Sequence, residues 1–184
     1  MDTAVSRAQV VAFRYAAHDL DPAAPGNGGT VLATGLQDYP PGRSATLALR
    51  LRTSAPPPSV LVHSIRGAMH LHHAADLPRL AAALRIEDVR DLPPQSIGPF
   101  GAELAGHGIA FGSALDEIAA AMRAAVVPDG RSLTKGELSG TVSPEVDRRL
   151  TPWCEGCGAA HVHDQLFRHA TLQAGLAIEV DPTT

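Results

Sequence analysis

The sequence has few of the residues that cross-link small secreted proteins and no segment typical of membrane proteins. Its 184 residues include two cysteines, seven aromatic residues, and one lysine against fourteen arginines. Two cysteines exclude a disulfide framework, and no apolar run approaches the roughly 20 residues that a membrane span needs. The N-terminus lacks a basic region followed by an apolar one, so no secretion signal is predicted. We therefore expect a cytoplasmic protein that does not enter a membrane.

The scarcity of aromatic residues also constrains the core. Hydrophobic residues make up 45% of the chain, and many of them are alanine, which predicts helices packed through small side chains. The length suits one ordinary domain or two small ones. We predict a mostly helical α/β fold with tandem winged-helix-like units and short β-hairpins. The proline-containing segment 91–95 marks the boundary between a first domain, 1–92, and a second, 93–184.

The first half has the element order of a winged-helix domain. Apolar spacing predicts an amphipathic helix over 6–20, a short helix over 30–36 and a third that begins at Ser44. Residues 60–72 then alternate on either side of Arg66-Gly67, which indicates a β-hairpin. Residues 74–76 are predicted to start another helix, with Asp76 as its N-cap and Pro78 within its first turn. Three helices followed by a hairpin match the order helix, helix, helix, wing.

The second half combines helices with short extended segments. Apolar helices are predicted near 97–107 and 113–126, and Thr134 and Glu137 have the spacing of a helix capping box. A helix from Asp164 to about Leu172 is followed by an apolar strand, LAIEV, at 176–180. This strand ends the chain without a closing element, so we expect a truncated or divergent member of whichever family it belongs to.

Positive charge is concentrated in one segment, although the whole chain carries a net charge of −4. Residues 40–90 contain seven arginines and three acidic residues, a net charge of +4, together with four histidines. The flanking segments carry −2 and −6. Because binding of an anion follows the local field, this distribution permits a nucleic-acid interface in an acidic protein. The alternative is an ordinary solvated charged face.

Two sequence blocks, GLQDYPPGRSA at 35–45 and IRGAMHLHHAADLP at 65–78, resemble a known family. They are similar to blocks of the bacterial winged-helix DNA glycosylases that unhook interstrand crosslinks, the AlkZ/YcaQ-like family. Members show Gly-Leu-Gln-x-Gln before a turn and a helix that opens with Ser-Ala, and then Arg-Gly-Thr-Leu-His-Leu ending in Asp-Leu-Pro. The resemblance is good over residues 8–85 and loose beyond them.

The resemblance implies double-stranded DNA as the partner and attack by a positioned water, with no small-molecule cofactor. Gln37 matches the first catalytic position, and Tyr39 stands where the family has a second Gln or an Asp. The hairpin residues Arg66 and His70 would meet DNA, as would the other basic side chains of the segment, Arg43, Arg50 and Arg52.

The function and the roles of two local features remain open at this point. The protein is a glycosylase, a non-catalytic DNA-binding protein, or a protein-interaction or transcription-related module. Gln37 alternatively satisfies carbonyl groups at the end of a helix. Arg66-Gly67 alternatively forms a simple turn.

A second motif predicts a metal site. Cys154 and Cys157 have the spacing of a knuckle that directs two thiolates at one zinc ion, and His161 and His163 project to the same side of an extended segment. We expect structural zinc bound by these four residues, with Asp164 or His169 as alternatives for the fourth ligand. A reduced thiol pair beside surface histidines and a redox pair are the other interpretations.

Overall fold

The computed structural model describes residues 4–21, 23–24, 26–42, 44–126, 130 and 132–179. It confirms a mostly helical α/β protein with small antiparallel sheets and short hairpins. The chain divides into two compact units, one within residues 1–62 and 69–77 and the other within 63–68 and 78–179. Among the helices in the described ranges, none combines the length and the apolarity needed to cross a bilayer.

The first unit contains three helices and most of a three-stranded sheet in the order β1–β3–β2. Its elements are α1 (Arg7–Ala17), α2 (Gly29–Thr34), β1 (Leu36–Gln37), α3 (Ser44–Arg52), β2 (Ser59–His63) and β3 (Met69–His73), with a 3₁₀ turn at Ala74–Asp76. The 3₁₀ turn at Ile65–Gly67, between β2 and β3, clusters with the second unit. The predicted helices and the predicted hairpin are therefore confirmed, except that the short helix expected over 30–36 ends at Thr34 and Leu36 belongs to β1. The helix predicted to follow Asp76 begins at Leu77, after the second 3₁₀ turn.

Local chemistry accounts for the helix ends of this unit. Ser6 and Gln9 form a capping box at the start of α1, in which each side chain accepts a hydrogen bond from the other residue's backbone N–H. No residue of α1 is buried. The core is instead formed by α2, α3 and the sheet, through Val31, Leu32, Ala45, Leu49, Leu61, Val62 and Leu71.

The second unit is built around two packed helices, α7 and α9. Its elements are α4 (Leu77–Ala83), α5 (Pro94–Ile97), α6 (Pro99–Gly106), α7 (Phe111–Val126), α8 (Lys135–Val142), β4 (Trp153–Cys154), β5 (Ala159–Ala160) and α9 (Asp164–Gln173), with 3₁₀ turns at Val89–Asp91, Ser143–Glu145 and Arg148–Leu150. The buried residues of α7 recur every three or four positions from Phe111 to Met122. The predicted capping box of Thr134 and Glu137 is confirmed at the start of α8.

Two expectations for the second half differ from the structure. Residues 176–179 of the predicted terminal strand are not a strand, and Val180 lies outside the described residues. The apolar run instead follows a helix-ending motif, in which Gly175 has a φ of +73° and Leu176 N–H donates to Thr171 O (3.0 Å). Leu176 then packs against the core. The other difference is the division of the chain: residues 78–92, which were expected in the first domain, cluster with the second unit. The tandem winged-helix arrangement stays a prediction.

Candidate functional site

β1 ends at Gln37, and from there to the bend at Tyr39 the side chains alternate between solvent and core. Gln37 is exposed, Asp38 is 4% exposed and Tyr39 is 77% exposed. β1 pairs with β3 in antiparallel register, and Asp38 N–H continues the pairing by donating to Met69 O (2.9 Å). Alternation along an extended chain therefore places Gln37 and Tyr39 on the same, solvent-facing side. The interpretation of Gln37 as a residue at a helix end is wrong, because α2 ends at Thr34.

Asp38 organises the loop that carries Tyr39, a role that sequence analysis did not assign. Its carboxylate accepts hydrogen bonds from Gly42 N–H (2.5 Å) and from Ala45 N–H in the first turn of α3 (2.8 Å). A carboxylate beside the N-terminus of a helix is also favoured by the helix dipole. The signal in the sequence is an acidic residue just before a Pro-Pro-Gly turn and a helix. Tyr39 is thus displayed from a loop that is anchored at both ends.

Buried histidines lie beside Gln37 on the neighbouring strand, β3. His70 is the direct cross-strand neighbour of Gln37 and is 4% exposed, and its ring centroid lies 6.1 Å from that of His72. Burial lowers the pKa of His72, which is 1% exposed. Gly35 packs against this layer: a Cβ on it would lie 2.5 Å from His72 Cε1. The ring of His70 is therefore not at the surface, and its direct neighbour is the Gln37 position.

The arginines of the basic segment differ in their accessibility. Arg50 is exposed in the last turn of α3, whereas the Arg52 side chain is only 4% exposed. Arg52 forms an ion pair with Asp19 (Nη2 to Oδ1, 2.6 Å) and donates to Asp19 O and Ala24 O. Arg52 is therefore engaged inside the first unit and is not placed to contact DNA. Arg43 lies outside the described residues.

Two further arginines of this segment are paired with acidic side chains. Arg85 pairs with Glu87 and Asp116, and Arg90 pairs with Asp88. Two of the acidic partners, Asp19 of Arg52 and Asp116 of Arg85, lie outside residues 40–90 and are not counted in the net charge of this segment. The accessible positive field of this segment is thus smaller than its net charge of +4 suggests.

Arg66 occupies the tip of the hairpin in an unusual conformation. Its φ is +59°, a left-handed value that costs roughly 1–2 kcal/mol for a residue with a Cβ. Ser64 N–H donates to Ala68 O (2.9 Å) and closes the turn, and the Arg66 side chain is exposed. Arg66-Gly67 is therefore a tight turn, and that turn carries an exposed guanidinium.

The cysteine motif folds as a small hairpin that gathers three possible ligands. β4 and β5 pair through Cys154 and Ala159, and the turn is closed by Gly158 N–H donating to Cys154 O (2.9 Å). The sulfur atoms of Cys154 and Cys157 and a ring nitrogen of His161 all lie within 4.8 Å of one another. These three residues are therefore close enough to bind one metal ion.

The orientation of the His161 ring suits a metal ligand. Its Nδ1 donates a hydrogen bond to Val162 O (2.8 Å), which leaves the lone pair on Nε2. Nε2 is buried and has no hydrogen-bond partner. Metal-binding histidines usually hold their second ring nitrogen in this way, because the hydrogen bond fixes the tautomer and the direction of the ligand atom.

His163 is not part of the group, contrary to the four-residue ligand set expected from the sequence. Its ring stacks on Phe100 with 4.5 Å between centroids, and its Nδ1 accepts a hydrogen bond from Gln165 N–H (3.3 Å). His163 also caps the N-terminus of α9. The start of this helix turns the chain after His161, so the two histidines do not continue the alternation of an extended strand.

The two thiols differ in acidity. The pKa of Cys154 is lowered, mainly because the backbone N–H of Cys157 donates a hydrogen bond to it, and His161 adds to the effect. The pKa of Cys157 is raised, mainly because its thiol hydrogen-bonds to the Cys154 side chain, and the charge of that neighbouring sulfur adds to the effect. The first thiolate therefore forms at Cys154, and a metal ion would favour the second by neutralising both charges.

A separate, partly buried histidine lies in the second unit. His63 Nδ1 donates to Thr171 Oγ1 (3.0 Å), whose hydroxyl donates to Arg168 O (2.7 Å). Burial lowers the pKa of His63 to about 4, and the positive charge of Arg168 adds to this effect. His63 is therefore neutral in the folded protein at neutral pH.

The chain was compared with known protein families, curated proteins and solved structures. The family model of AlkZ-like DNA glycosylases matches residues 14–184, which include the Gln37 loop, the hairpin and the cysteine motif. No curated protein and no solved structure matches the chain. A match over nearly the whole chain shows that this protein belongs to the AlkZ-like DNA glycosylase family.

Proposed function

We propose that this protein is a monofunctional DNA glycosylase that releases N-alkylated or crosslinked purines from double-stranded DNA. The observation that carries the proposal is the shared exposure of Gln37 and Tyr39 on one side of an extended segment. These are the two positions that the AlkZ/YcaQ-like motif uses for catalysis. Membership of a DNA glycosylase family supports DNA as the substrate.

In the proposed reaction, the main role of the protein is to position a water molecule. An N-alkylated purine carries a positive charge, so it departs with the electrons of the N-glycosidic bond without protonation by an acid. The water oxygen then bonds to C1′ of the resulting oxocarbenium-like sugar and afterwards loses a proton to solvent. The Gln37 amide oxygen can accept a hydrogen bond from this water and hold it in place, and positioning of this kind contributes substantially to rate.

Tyr39 is the departure from the family motif, and its role in the proposal is limited to hydrogen bonding. Tyr39 carries a hydroxyl group where the family has an amide or a carboxylate. Its hydroxyl can nevertheless donate to or accept from a water. We therefore assign orientation of the water to Tyr39 and expect Gln37 to make the larger contribution.

Exposed arginines are proposed to hold the DNA backbone. Arg50 on α3 and Arg66 at the hairpin tip present guanidinium groups to solvent, and Arg43 is proposed from the sequence alone. The hairpin β2–β3 would serve as a wing, with Arg66 directed at phosphate or the minor groove. Arg52 is not proposed to bind DNA, because it is paired with Asp19 inside the first unit. His70 is proposed to support Gln37 from the neighbouring strand.

The test of catalysis uses a duplex that contains one N7-methylguanine. Abasic sites are cleaved with alkali and counted after incubation with the protein, with the Gln37→Ala variant as the control. We expect product from the wild type and a loss of at least a hundredfold in the variant. Wild-type product no greater than that of Gln37→Ala would remove the enzymatic claim.

The non-catalytic alternative is favoured by one observation, the tyrosine at position 39. Tyr39→Gln restores the residue type of the family. Because Tyr39 is exposed, this substitution should not disturb the core. If the proposal is right, this variant keeps or increases base release. A wild type that binds duplex DNA without releasing base in any variant would identify a DNA-binding protein instead.

DNA binding is tested separately by its dependence on salt. The logarithm of the affinity falls with the logarithm of the salt concentration, with a slope of about −0.9 for each neutralised phosphate. Arg50→Gln and Arg66→Gln are each expected to reduce this slope by about 1. Arg90→Gln is the matched control, because Arg90 is exposed but paired with Asp88. Affinity that does not respond to salt would favour a protein-interaction module.

We also propose that Cys154, Cys157 and His161 bind zinc. Two thiolates and an imidazole suit this ion. It would link the β4–β5 hairpin to the segment that leads into α9 and would thereby stabilise this part of the fold. The support is the 4.8 Å cluster and the Nε2 atom of His161, which is directed away from its Val162 hydrogen bond.

The zinc proposal is tested by elemental analysis of the purified protein. We expect one zinc per chain in the wild type and in His163→Gln, but little in His161→Gln or Cys154→Ser. The histidine pair is a matched comparison, since both side chains are partly buried and lie two residues apart. Equal loss of zinc in both histidine variants would contradict the three-residue assignment.

A further inference from the structure

The cysteine–histidine cluster borders a cleft in the second unit. The cleft has a volume of about 630 Å³ and is open to solvent. Two of the three possible metal ligands contribute to its wall. The wall residues that matter here are Lys135, Ser139, Cys157, His161 and Asp164. An ion bound between Cys157 and His161 would therefore border the same space.

Among the described residues, three donor atoms form the group that could hold this ion, and zinc prefers four. The other candidates for a fourth ligand are engaged elsewhere or lie outside this group. His163 stacks on Phe100, and its Nδ1 accepts a hydrogen bond from Gln165 N–H. The Asp164 carboxylate is paired with Lys135 Nζ (2.6 Å) and with Arg168 Nε (2.7 Å). His169 is buried on α9 and does not belong to the group.

The charges around the cleft favour an anion as the fourth ligand. Two thiolates neutralise a divalent ion, and His161 contributes no charge when it is a ligand. Lys135 and Arg168 outnumber the single carboxylate of Asp164, which they both contact. The hydroxyl group of Ser139 provides a further hydrogen-bond donor in the wall.

We infer that the bound metal ion keeps an open coordination position toward this cleft and takes an oxyanion of the phosphate class there. This inference rests on the metal site proposed above. Lys135 would stabilise the anion from the side of α8, at a position where the capping box of Thr134 and Glu137 fixes the helix start. The same chemistry fits a free phosphate ion and a phosphate of the DNA backbone.

The test uses the full chain loaded with Co²⁺, whose visible absorption reports the ligands of the ion. Inorganic phosphate is titrated into the loaded wild type and into Lys135→Gln, with His163→Gln as a control. We expect a saturable change of the spectrum in the wild type and in His163→Gln. In Lys135→Gln the dissociation constant for phosphate should rise about fivefold, the size of one exposed charge interaction.

The outcomes separate this inference from the proposal on which it rests. A protein that binds neither Co²⁺ nor zinc would refute both. A cobalt spectrum that shows two thiolates but does not respond to phosphate or DNA would refute the open position alone. A response that is identical in Lys135→Gln would refute the assignment to the cleft. A parallel titration with a short duplex distinguishes the sources, since a response to duplex identifies DNA phosphate and a response to inorganic phosphate only identifies a small oxyanion.

Discussion

Replacement of Gly35 by alanine tests how the fold holds Gln37 in position. Gly35 lies between α2 and β1, two residues before Gln37, with a φ of +93°. A left-handed backbone costs roughly 1–2 kcal/mol once a Cβ is present. The added methyl group would also lie 2.5 Å from His72 Cε1, and that ring is 1% exposed and cannot swing into solvent. Forcing a methyl group into packed surroundings costs about 1–3 kcal/mol.

The expected loss for Gly35→Ala is therefore about 2–5 kcal/mol in the free energy of unfolding of the first unit. Gly42→Ala is the matched control in the same unit. Its φ is +120°, but no atom lies within 4 Å of the position of its Cβ. Gly42→Ala should thus show only the backbone part, about 1–2 kcal/mol.

Hydrogen exchange measured by mass spectrometry on peptides from 59–73 is the suitable assay, because these peptides contain β3, the strand that pairs with Gln37. Faster exchange gives the free energy of opening directly. Base release from alkylated duplex should fall in Gly35→Ala under conditions where the protein remains folded. The reasoning is refuted if Gly35→Ala is no more destabilising than Gly42→Ala.

Three further predictions concern the second unit. Lowering the pH from 6.5 to about 4 should destabilise this unit. His63 is protonated in the unfolded chain over this range but stays neutral in the folded protein, where its pKa is about 4. For one such histidine, the free energy of unfolding falls by up to about 1.4 kcal/mol per pH unit. The urea midpoint measures this effect, and His63→Gln should flatten the profile; a flat wild-type profile would contradict the burial argument. Thr134→Ala should lower the free energy of unfolding by about 1 kcal/mol, because it removes the N-cap of α8. Thr134→Ser should keep most of this stability, and equal urea midpoints for the two variants would argue against the cap. Met122→Ala should lower the free energy of unfolding by about 2–5 kcal/mol, because it opens a cavity beside α7. Ala120→Ser, at an exposed position of the same helix, should change it by less than about 0.5 kcal/mol. Similar urea midpoints for the two variants would contradict the burial of Met122 in the core.

Local sequence patterns predicted most of the secondary structure because their causes are local. The capping boxes at Ser6 and Thr134 depend on residues three positions apart. The apolar spacing of α7 depends on the helical repeat. The terminal run LAIEV was misread because an apolar strand and an apolar segment packed after a helix have similar composition. Only the contact of Leu176 with the core distinguishes them.

The candidate sites were predictable as residue types but not as arrangements. The sequence indicated Gln37 and Tyr39 through their resemblance to a family motif, yet whether they share a face depended on whether the segment is helical or extended. Pairing of β1 with β3, a contact between residues more than thirty positions apart, decided that. Arg52 and Arg50 look alike in sequence, and only the approach of Asp19 separates the buried arginine from the exposed one.

What the sequence determined by itself was the class of protein, mostly helical α/β, its membership of a glycosylase family, and the presence of a Cys-x-x-Cys knuckle. These follow from composition, short-range spacing and ordered motifs. The tertiary structure decided which arginines remain accessible, that Asp38 anchors the Tyr39 loop, and that His163 stacks on Phe100 while His161 joins the two cysteines. The physical reason is that burial, ion pairing and ligand geometry depend on residues brought together from distant parts of the chain, and no local pattern records those neighbours.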